Sequence, residues 1–245
     1  MKKLFIVADV HGHYCEMWKA LVEKGFDINN NDHIFVSLGD LLDRGQEPLE
    51  CLRFVLCIPK ERRILIRGNH EDLYEDIFNR GYFASHDIHN GALITFRLIH
   101  GDMSEREQKT IIDSVKEHPL LKQYLDETVD FYETEKSVFV HGWIPCYHFY
   151  NTTVNVDNPN DEDWHDARWI NGMKAWQNGS RKKGKTIYCG HWHTSYGHSI
   201  IDNKCSEFGE DAIFEPFIKD GIVALDGCVA YTKKVNCYVL EENIV

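Results

Sequence analysis

Apolar residues along the chain fall into short runs, many rich in β-branched side chains. Each is the length of one strand: Leu4–Ala8, His33–Leu38, Arg63–Arg67, Leu93–Ile99, Ser137–Val140, Lys185–Cys189, Gly221–Leu225 and Val235–Leu240. Between the first three runs the spacing becomes helical. Met17, Ala20, Leu21 and Lys24 lead to Gly25 as a stop, and Pro48 opens a stretch through Leu49, Leu52, Val55 and Leu56 that ends before Pro59. The opening of the chain therefore predicts β-α-β-α-β. Further on, Ser104 to Glu127 reads as charged helix, with Ile111, Ile112, Val115, Leu120 and Leu121 as its buried stripe. From about 150 to 184 the chain is rich in Asn, Asp and Trp; a loop is expected over Asn155–Asp163 and a short helix over Asp166–Trp176.

Composition narrows the class. A chain of 245 residues, 43% hydrophobic and 27% charged, has the apolar content for one α/β domain with a sizeable core. We expect one domain over 1–245, with a helical insertion at about 104–127 and a lid at about 150–184. The formal net charge of −12 argues against nucleic acid or an anionic membrane as partner. The opening Met-Lys-Lys-Leu-Phe-Ile-Val-Ala is too short for a secretion signal and is interrupted by Asp9, so it reads as a strand. Eight cysteines, none in a C-x-x-C pair, fall mostly in apolar runs and suggest reduced core thiols and a cytoplasmic location.

The chemistry collects at strand ends. Asp9-Val10-His11-Gly12-His13 follows the first predicted strand, Gly39-Asp40-Leu41-Leu42-Asp43-Arg44-Gly45 the second and Arg67-Gly68-Asn69-His70-Glu71 the third. His141-Gly142 and Gly190-His191-Trp192-His193-Thr194 follow two later ones. Asp9, Asp40 and Asn69 are 31 and 29 residues apart, one strand–helix–strand unit each. Open α/β sheets bind ligands at that edge. Oxygen and imidazole donors converging there suit divalent cations, and a pair of ions about 3.5–4 Å apart needs one shared carboxylate. One Asn-His or His-Gly is ordinary loop chemistry; five such groups at five strand ends are not.

This set resembles the phosphoprotein phosphatase family of calcineurin-like metallophosphoesterases, whose pattern is Gly-Asp-x-His-Gly, Gly-Asp-x-x-Asp-Arg-Gly, Gly-Asn-His-Glu and two later histidines. The resemblance runs from about residue 4 to 228 and is nearest to the compact bacterial and phage-type serine/threonine phosphatases. It implies an α/β fold with a central mixed β-sandwich flanked by helices. It also implies two divalent ions, Mn²⁺ first and Fe or Zn also admitted by the donors. Asp9 and His11 would hold the first ion, Asp40 would bridge, and Asn69, His141 and His191 would complete the second. His70 would be the general acid, oriented by Asp43. Arg44 would grip the phosphoryl oxygens with Arg67 close by, and Arg168 is a looser match to a later phosphate-binding arginine.

Ala8 replaces a family glycine, a conservative change. Trp143 replaces another and is expected to reshape the pocket mouth. His193 could touch the first metal or stand behind it; His13 is expected at the surface or behind the site, and His86, His89 and His165 in ordinary loops. Trp164, Trp169 and Trp176 flank Arg168 and could set substrate choice or pack a small satellite core. The implied reaction is hydrolysis of a phosphate monoester by a metal-bridging hydroxide, on a phosphorylated protein or a small phosphate ester. Gly190-His191-Trp192 and Gly221–Cys228 also resemble symmetrical diadenosine tetraphosphate hydrolases. A non-catalytic binding module is the alternative of a different class; such a module would lose ligands first, and the six ligand candidates and His70 are all present.

Overall fold

Alternation of side chains decides the layers. In the computed structural model, which describes residues 1–149 and 152–243, the first strand β1 (Lys2–Val7) sends Phe5 and Val7 to one face and Leu4 and Ile6 to the other. It pairs in parallel with β2 (His33–Ser37), which pairs in parallel with β3 (Arg63–Leu65). Helices α1 (Tyr14–Glu23) and α2 (Pro48–Cys57) are the crossovers. Pro48 stands in the first turn of α2, where its missing N–H costs nothing.

From Asn69 to Glu127 the chain is almost wholly helical: α3 (Asn69–Arg80), α4 (Ser85–His89), α5 (Ala92–His100), α6 (Gln108–Lys116) and α7 (Pro119–Glu127). The strand expected over Leu93–Ile99 is α5. Gly91 (φ 95°) and Gly101 (φ 86°) bracket it, and Ala92, Thr95, Phe96 and Ile99 are buried at helical spacing. Leu93 and Leu98 on the other side masked that period. The helical stretch expected over 104–127 starts at Gln108 and is broken at Glu117–His118, since Pro119 begins a new helix.

The second half builds another sheet. β4 (Tyr132–Glu133), β5 (Ser137–Phe139), β8 (Thr186–Cys189), β10 (Ile222–Ala224) and β9 (Phe217–Lys219) lie in the order β4-β5-β8-β10-β9, with β5, β8 and β10 parallel. Between β5 and β8 come a hairpin, β6 (Cys146–Phe149) with β7 (Thr152–Asn155), and two short helices, α8 (Asp161–Ala167) and α9 (Gly172–Gln177). Asn160 caps α8 through Asp163 N, so helix begins inside the stretch expected to be a loop; the helix expected over 166–176 is split by a turn at 168–171. Residues 150–151 of the expected lid lie outside the described residues. After α10 (Val229–Thr232), β11 (Cys237–Glu242) returns to pair antiparallel with β1.

Three apolar clusters mark the interfaces. Leu4, Ile6 and Val36 of the first sheet meet Phe139, Tyr188 and Val223 of the second, which is the interior of a β-sandwich. Phe5, Phe35 and Leu65 pack under the helices of the first half. Val138, Ile187 and Ile222 pack against Met173 and Ala175 of α9. The result is a helix–sheet–sheet–helix stack. The residues following the carboxyl ends of β1, β2, β3, β5, β8 and β10 come together at one edge of it. No helix of the described residues is long and apolar enough to cross a membrane.

Candidate metal centre

The loops at that edge are bent by need. Of the ten non-glycine residues with positive φ among the described residues, six are Asp9, His11, Asp40, Asp43, Arg44 and His191, and β-branched or bulky side chains rarely tolerate that conformation. The bends turn short polar side chains inward from extended strands. The ladder continues through the bent segments: His11 N donates to Asp40 O at 3.0 Å, Gly190 N to His141 O at 2.7 Å and Leu225 N to Cys189 O at 2.9 Å.

Asp40 is central. His11, Asp40 and His70 present ligand atoms within 4.8 Å of one another, and so do Asp40, His141 and His191. One carboxylate thus belongs to both groups. Its Oδ1 accepts from His70 N, in the first turn of α3, at 3.0 Å. Burial opposes its charge, but His141, His70 and His11 outweigh this and hold its pKa well below the carboxylate range. Asn69 joins the second group: its Oδ1 lies 2.8 Å from His141 Nε2 and 2.9 Å from His191 Nδ1. Asp9 receives His191 N on both carboxylate oxygens, at 3.0 and 2.9 Å.

The imidazoles are turned as metal ligands are turned. His11 Nδ1 is 3.1 Å from Leu42 O and His141 Nδ1 is 2.7 Å from Leu38 O, which fixes the proton on Nδ1 and leaves Nε2 unprotonated on the side of Asp40. The His191 ring also faces the backbone of Trp169. Burial, then Arg44 and His70, keeps His11 neutral; burial, then His141, brings His191 down to about 3. Meanwhile burial and the crowding of Asp226 and Asp40 raise Asp9, and burial pushes Asp226 up to about 6. Neutral imidazoles among crowded, buried carboxylates and one amide oxygen are the donor set of hard or borderline divalent cations. His11, Asp40 and His70 in one group, and Asp40, His141 and His191 with Asn69 Oδ1 in the other, therefore fit divalent metal, while Asp9 stands in neither group.

His70 differs from its neighbours. Its Nδ1 is 2.6 Å from Asp43 Oδ2, and Tyr74 Oη donates to Asp43 Oδ1 at 2.5 Å. Burial works against the imidazolium, but Asp40 and Asp43 outweigh it and raise the pKa of His70. Arg44 Nη1 and Nη2 lie 2.9 and 3.2 Å from Nε2 of His11 and His70.

A family model described as calcineurin-like phosphoesterase matches residues 2–225. The chain belongs to the calcineurin-like phosphoesterase family. Two curated relatives match locally. Serine/threonine-protein phosphatase 1 of Salmonella typhimurium is 35% identical over 75 residues, 31% of this chain and 32% of that one. The symmetrical bis(5'-nucleosyl)-tetraphosphatase of Pasteurella multocida is 37% identical over 67 residues, 27% of this chain and 23% of that one. The matches thus span a third or less of these relatives' length. A serine/threonine phosphatase from Saccharomyces cerevisiae has a similar structure (TM-score 0.52, 13% identity, 100% of this chain and 81% of that one). So does the cold-active protein-tyrosine phosphatase of a Shewanella species (TM-score 0.52, 16% identity, 99% and 76%). Both likenesses are of fold alone, and with the family match they show the calcineurin-like phosphoesterase fold.

Other expected site residues have partners of their own. Arg67 and Arg168 line a cavity of about 570 Å³ that none of the six clustered residues lines. There Arg67 pairs with Asp72 and Glu75, both at 2.6 Å, and Arg168 with Asp130 at 2.6 Å and Asp72 at 3.2 Å. Trp143 does not reach the pocket mouth. It is 1% exposed and donates to Ser180 Oγ at 2.7 Å, because Gly142 turns it into the second core. His193 faces Glu207 and Ser195, and His13 faces Glu16, so neither stands in the two ligand groups. Trp164 stacks on Phe131 and Trp176 packs on Phe217; Trp169 alone of the three approaches a cluster residue, His191, at 5.8 Å.

Three residues were missed. Glu71 is fully buried and accepts from Asp40 N, Leu41 N, Gly68 N and Tyr124 Oη. Its signal was available, as an acid at the third helical position beneath a glycine cap. Tyr74, one turn after His70, gave a weaker one through its helical spacing. Asp226 ends the β10 run just as Asp9 and Asp40 end theirs, and the same rule would have found it.

Proposed function

We propose that this chain is a metal-dependent phosphoesterase that hydrolyses phosphate monoesters, acting as a serine/threonine protein phosphatase. The observation that carries the reading is the single buried Asp40 shared by two groups of ligand atoms, one of which contains the His70 imidazole backed by its own carboxylate. Asp9 and His11 would hold a first divalent ion, Asn69, His141 and His191 would hold a second, and Asp40 would serve both. Mn²⁺ suits these donors, as do Fe and Zn. Such ions supply hydroxide near neutral pH and offset charge on phosphoryl oxygens. The rest falls to the protein. Arg44, its guanidinium between His11 and His70, binds the phosphoryl oxygens. His70 gives its proton to the departing alkoxide, while Asp43 holds the ring and favours its charged form. The 1–245 chain works as one domain, with 150–184 as a lid that brings Trp169 beside His191. Eight free cysteines suit the reducing cytoplasm.

A second reading, symmetrical dinucleoside tetraphosphate hydrolysis, is favoured by the partly exposed rings of Trp169 and Trp192, each within 6.0 Å of His191, which offer stacking faces to a base. A substrate panel with Mn²⁺ separates the two. Phosphoserine and phosphothreonine peptides should turn over with much higher kcat/KM than diadenosine tetraphosphate. The reverse order would establish the second reading.

A further inference from the structure

The turn between α8 and α9 stands directly behind two of the clustered histidines. The carbonyls of Ala167, Arg168 and Ile170 approach Gly142 so closely that a Cβ there would lie 2.5–2.8 Å from all three oxygens, which only glycine permits. Ala167 O also accepts from Trp143 N at 3.1 Å. The turn therefore forms the seat of the His141-Gly142 loop. It touches His191 twice, through the Trp169 backbone and through the Trp169 ring, 5.8 Å away and edge-on at 83°.

The turn itself is pinned by one side chain. Arg168 Nη2 donates to Asp130 Oδ1 at 2.6 Å, and Nη1 lies 3.2 Å from Asp72 Oδ2. Arg168 and Asp72 are 9% and 11% exposed, so water screens that pair weakly, while Asp130 is 34% exposed. Asp72 sits in the first turn of α3, three residues after Asn69, and also takes Arg67 Nε at 2.6 Å. One guanidinium thus hydrogen-bonds Asp130 and ion-pairs with the helix that carries Asn69, and the same turn supports His141 and His191.

We propose that Arg168 is a positioning residue for the Asn69–His141–His191 side of the centre and does not touch phosphate. The inference rests on the two-metal reading above. An outer partner that orients metal ligands typically changes metal affinity by about 10–100-fold when removed. Pinning by two carboxylates also leaves the guanidinium little freedom to reach a substrate at the metal edge.

The test is a Mn²⁺ titration by calorimetry of the chelator-stripped full chain, beside inhibition by inorganic phosphate. Wild type should take up two ions. Arg168→Met should bind one with wild-type affinity and the other about 10–100-fold more weakly, and at saturating Mn²⁺ its inhibition by phosphate should be unchanged. Arg168→Lys should recover much of the affinity, since an ammonium can still reach one carboxylate. Should Arg168→Met fail to fold, Asp130→Asn removes only the outer pair and should give the same pattern more weakly. Wild-type affinity for both ions in Arg168→Met, with weakened phosphate inhibition, would overturn the inference and make Arg168 a phosphate contact. A wild type that binds no ion would remove the two-metal reading itself, and this inference with it.

Discussion

His70 is held from both sides, by Asp43 at 2.6 Å and, behind that, by the Tyr74 hydroxyl at 2.5 Å. The three form a chain that ends at His70 Nε2, the nitrogen that the proposed mechanism uses as the proton donor. Its neighbours His11 and His191 are pushed the opposite way, toward neutrality, so environment alone sets like side chains apart, as the proposed division between ligand and acid requires. The division predicts dependence on the leaving group. A serine alkoxide needs a proton as the bond breaks, whereas p-nitrophenolate leaves without one, and general acid help is worth about 10²–10⁴ in rate. His70→Asn should therefore slow phosphoserine peptides by that order, leave p-nitrophenyl phosphate much less affected and retain both ions. Asp43→Asn should follow in weaker form. Steady-state kinetics on both substrates checks this; equal losses would make His70 a phosphate ligand. At this scale most of the cluster was legible, because strand-end Asp, Asn and His are short polar groups placed where apolar runs stop. For Arg67 and Arg168 the motif gives a position in the chain and not the carboxylates that pair with them. Asp72 and Asp130 claimed both.

Among elements, Glu71 ties three pieces together. From the first turn of α3 its carboxylate takes N–H groups from the loop after β2 and from Gly68 after β3, and the Tyr124 hydroxyl from α7. These donors are buried, and each one left without an acceptor costs about 1–3 kcal/mol. Glu71→Ala should thus lower the stability of metal-free protein by about 3 kcal/mol or more, while Tyr124→Phe should cost about 1 kcal/mol. Urea unfolding measures both, and an unchanged midpoint for Glu71→Ala would remove it from this role. The strands of the two parallel sets could be read from their runs of Val, Ile, Leu and Phe. The helix α5 could not, since apolar residues on both its faces resemble a buried strand until the two flanking glycines are given weight. The antiparallel β4 and β9 add few apolar residues and left no pattern. The pairing of β1 with β11, across the whole chain, is a long-range contact that no local pattern records.

At the scale of the whole molecule, the sandwich brings two parallel sets of strands edge to edge, so buried carboxylates from both halves crowd one spot. Asp9 and Asp226 have raised pKa values, Asp226 about 6, and hold protons more tightly folded than unfolded. Without metal they favour the fold at low pH, and that contribution is lost as pH rises through their folded values. His11 and His191 are lowered and act in the opposite sense, costing stability as pH falls below about 6.5, where the unfolded imidazole protonates. Divalent ions must displace carboxyl protons at pH 5 but far fewer at pH 7.5, whereas the imidazoles are already neutral. Adding Mn²⁺ to chelator-stripped protein should raise Tm more at pH 7.5 than at pH 5. Thermal melts at both values check this, and equal gains would contradict it. The sharing of Asp40 between the two halves of the centre is the feature on which the account turns. Its most direct test measures bound manganese and p-nitrophenyl phosphate turnover in the same reconstituted samples of wild type and Asp40→Asn. The account predicts two ions per chain and turnover in wild type, with depleted manganese and no turnover in Asp40→Asn; two ions and near-normal turnover in Asp40→Asn would contradict it.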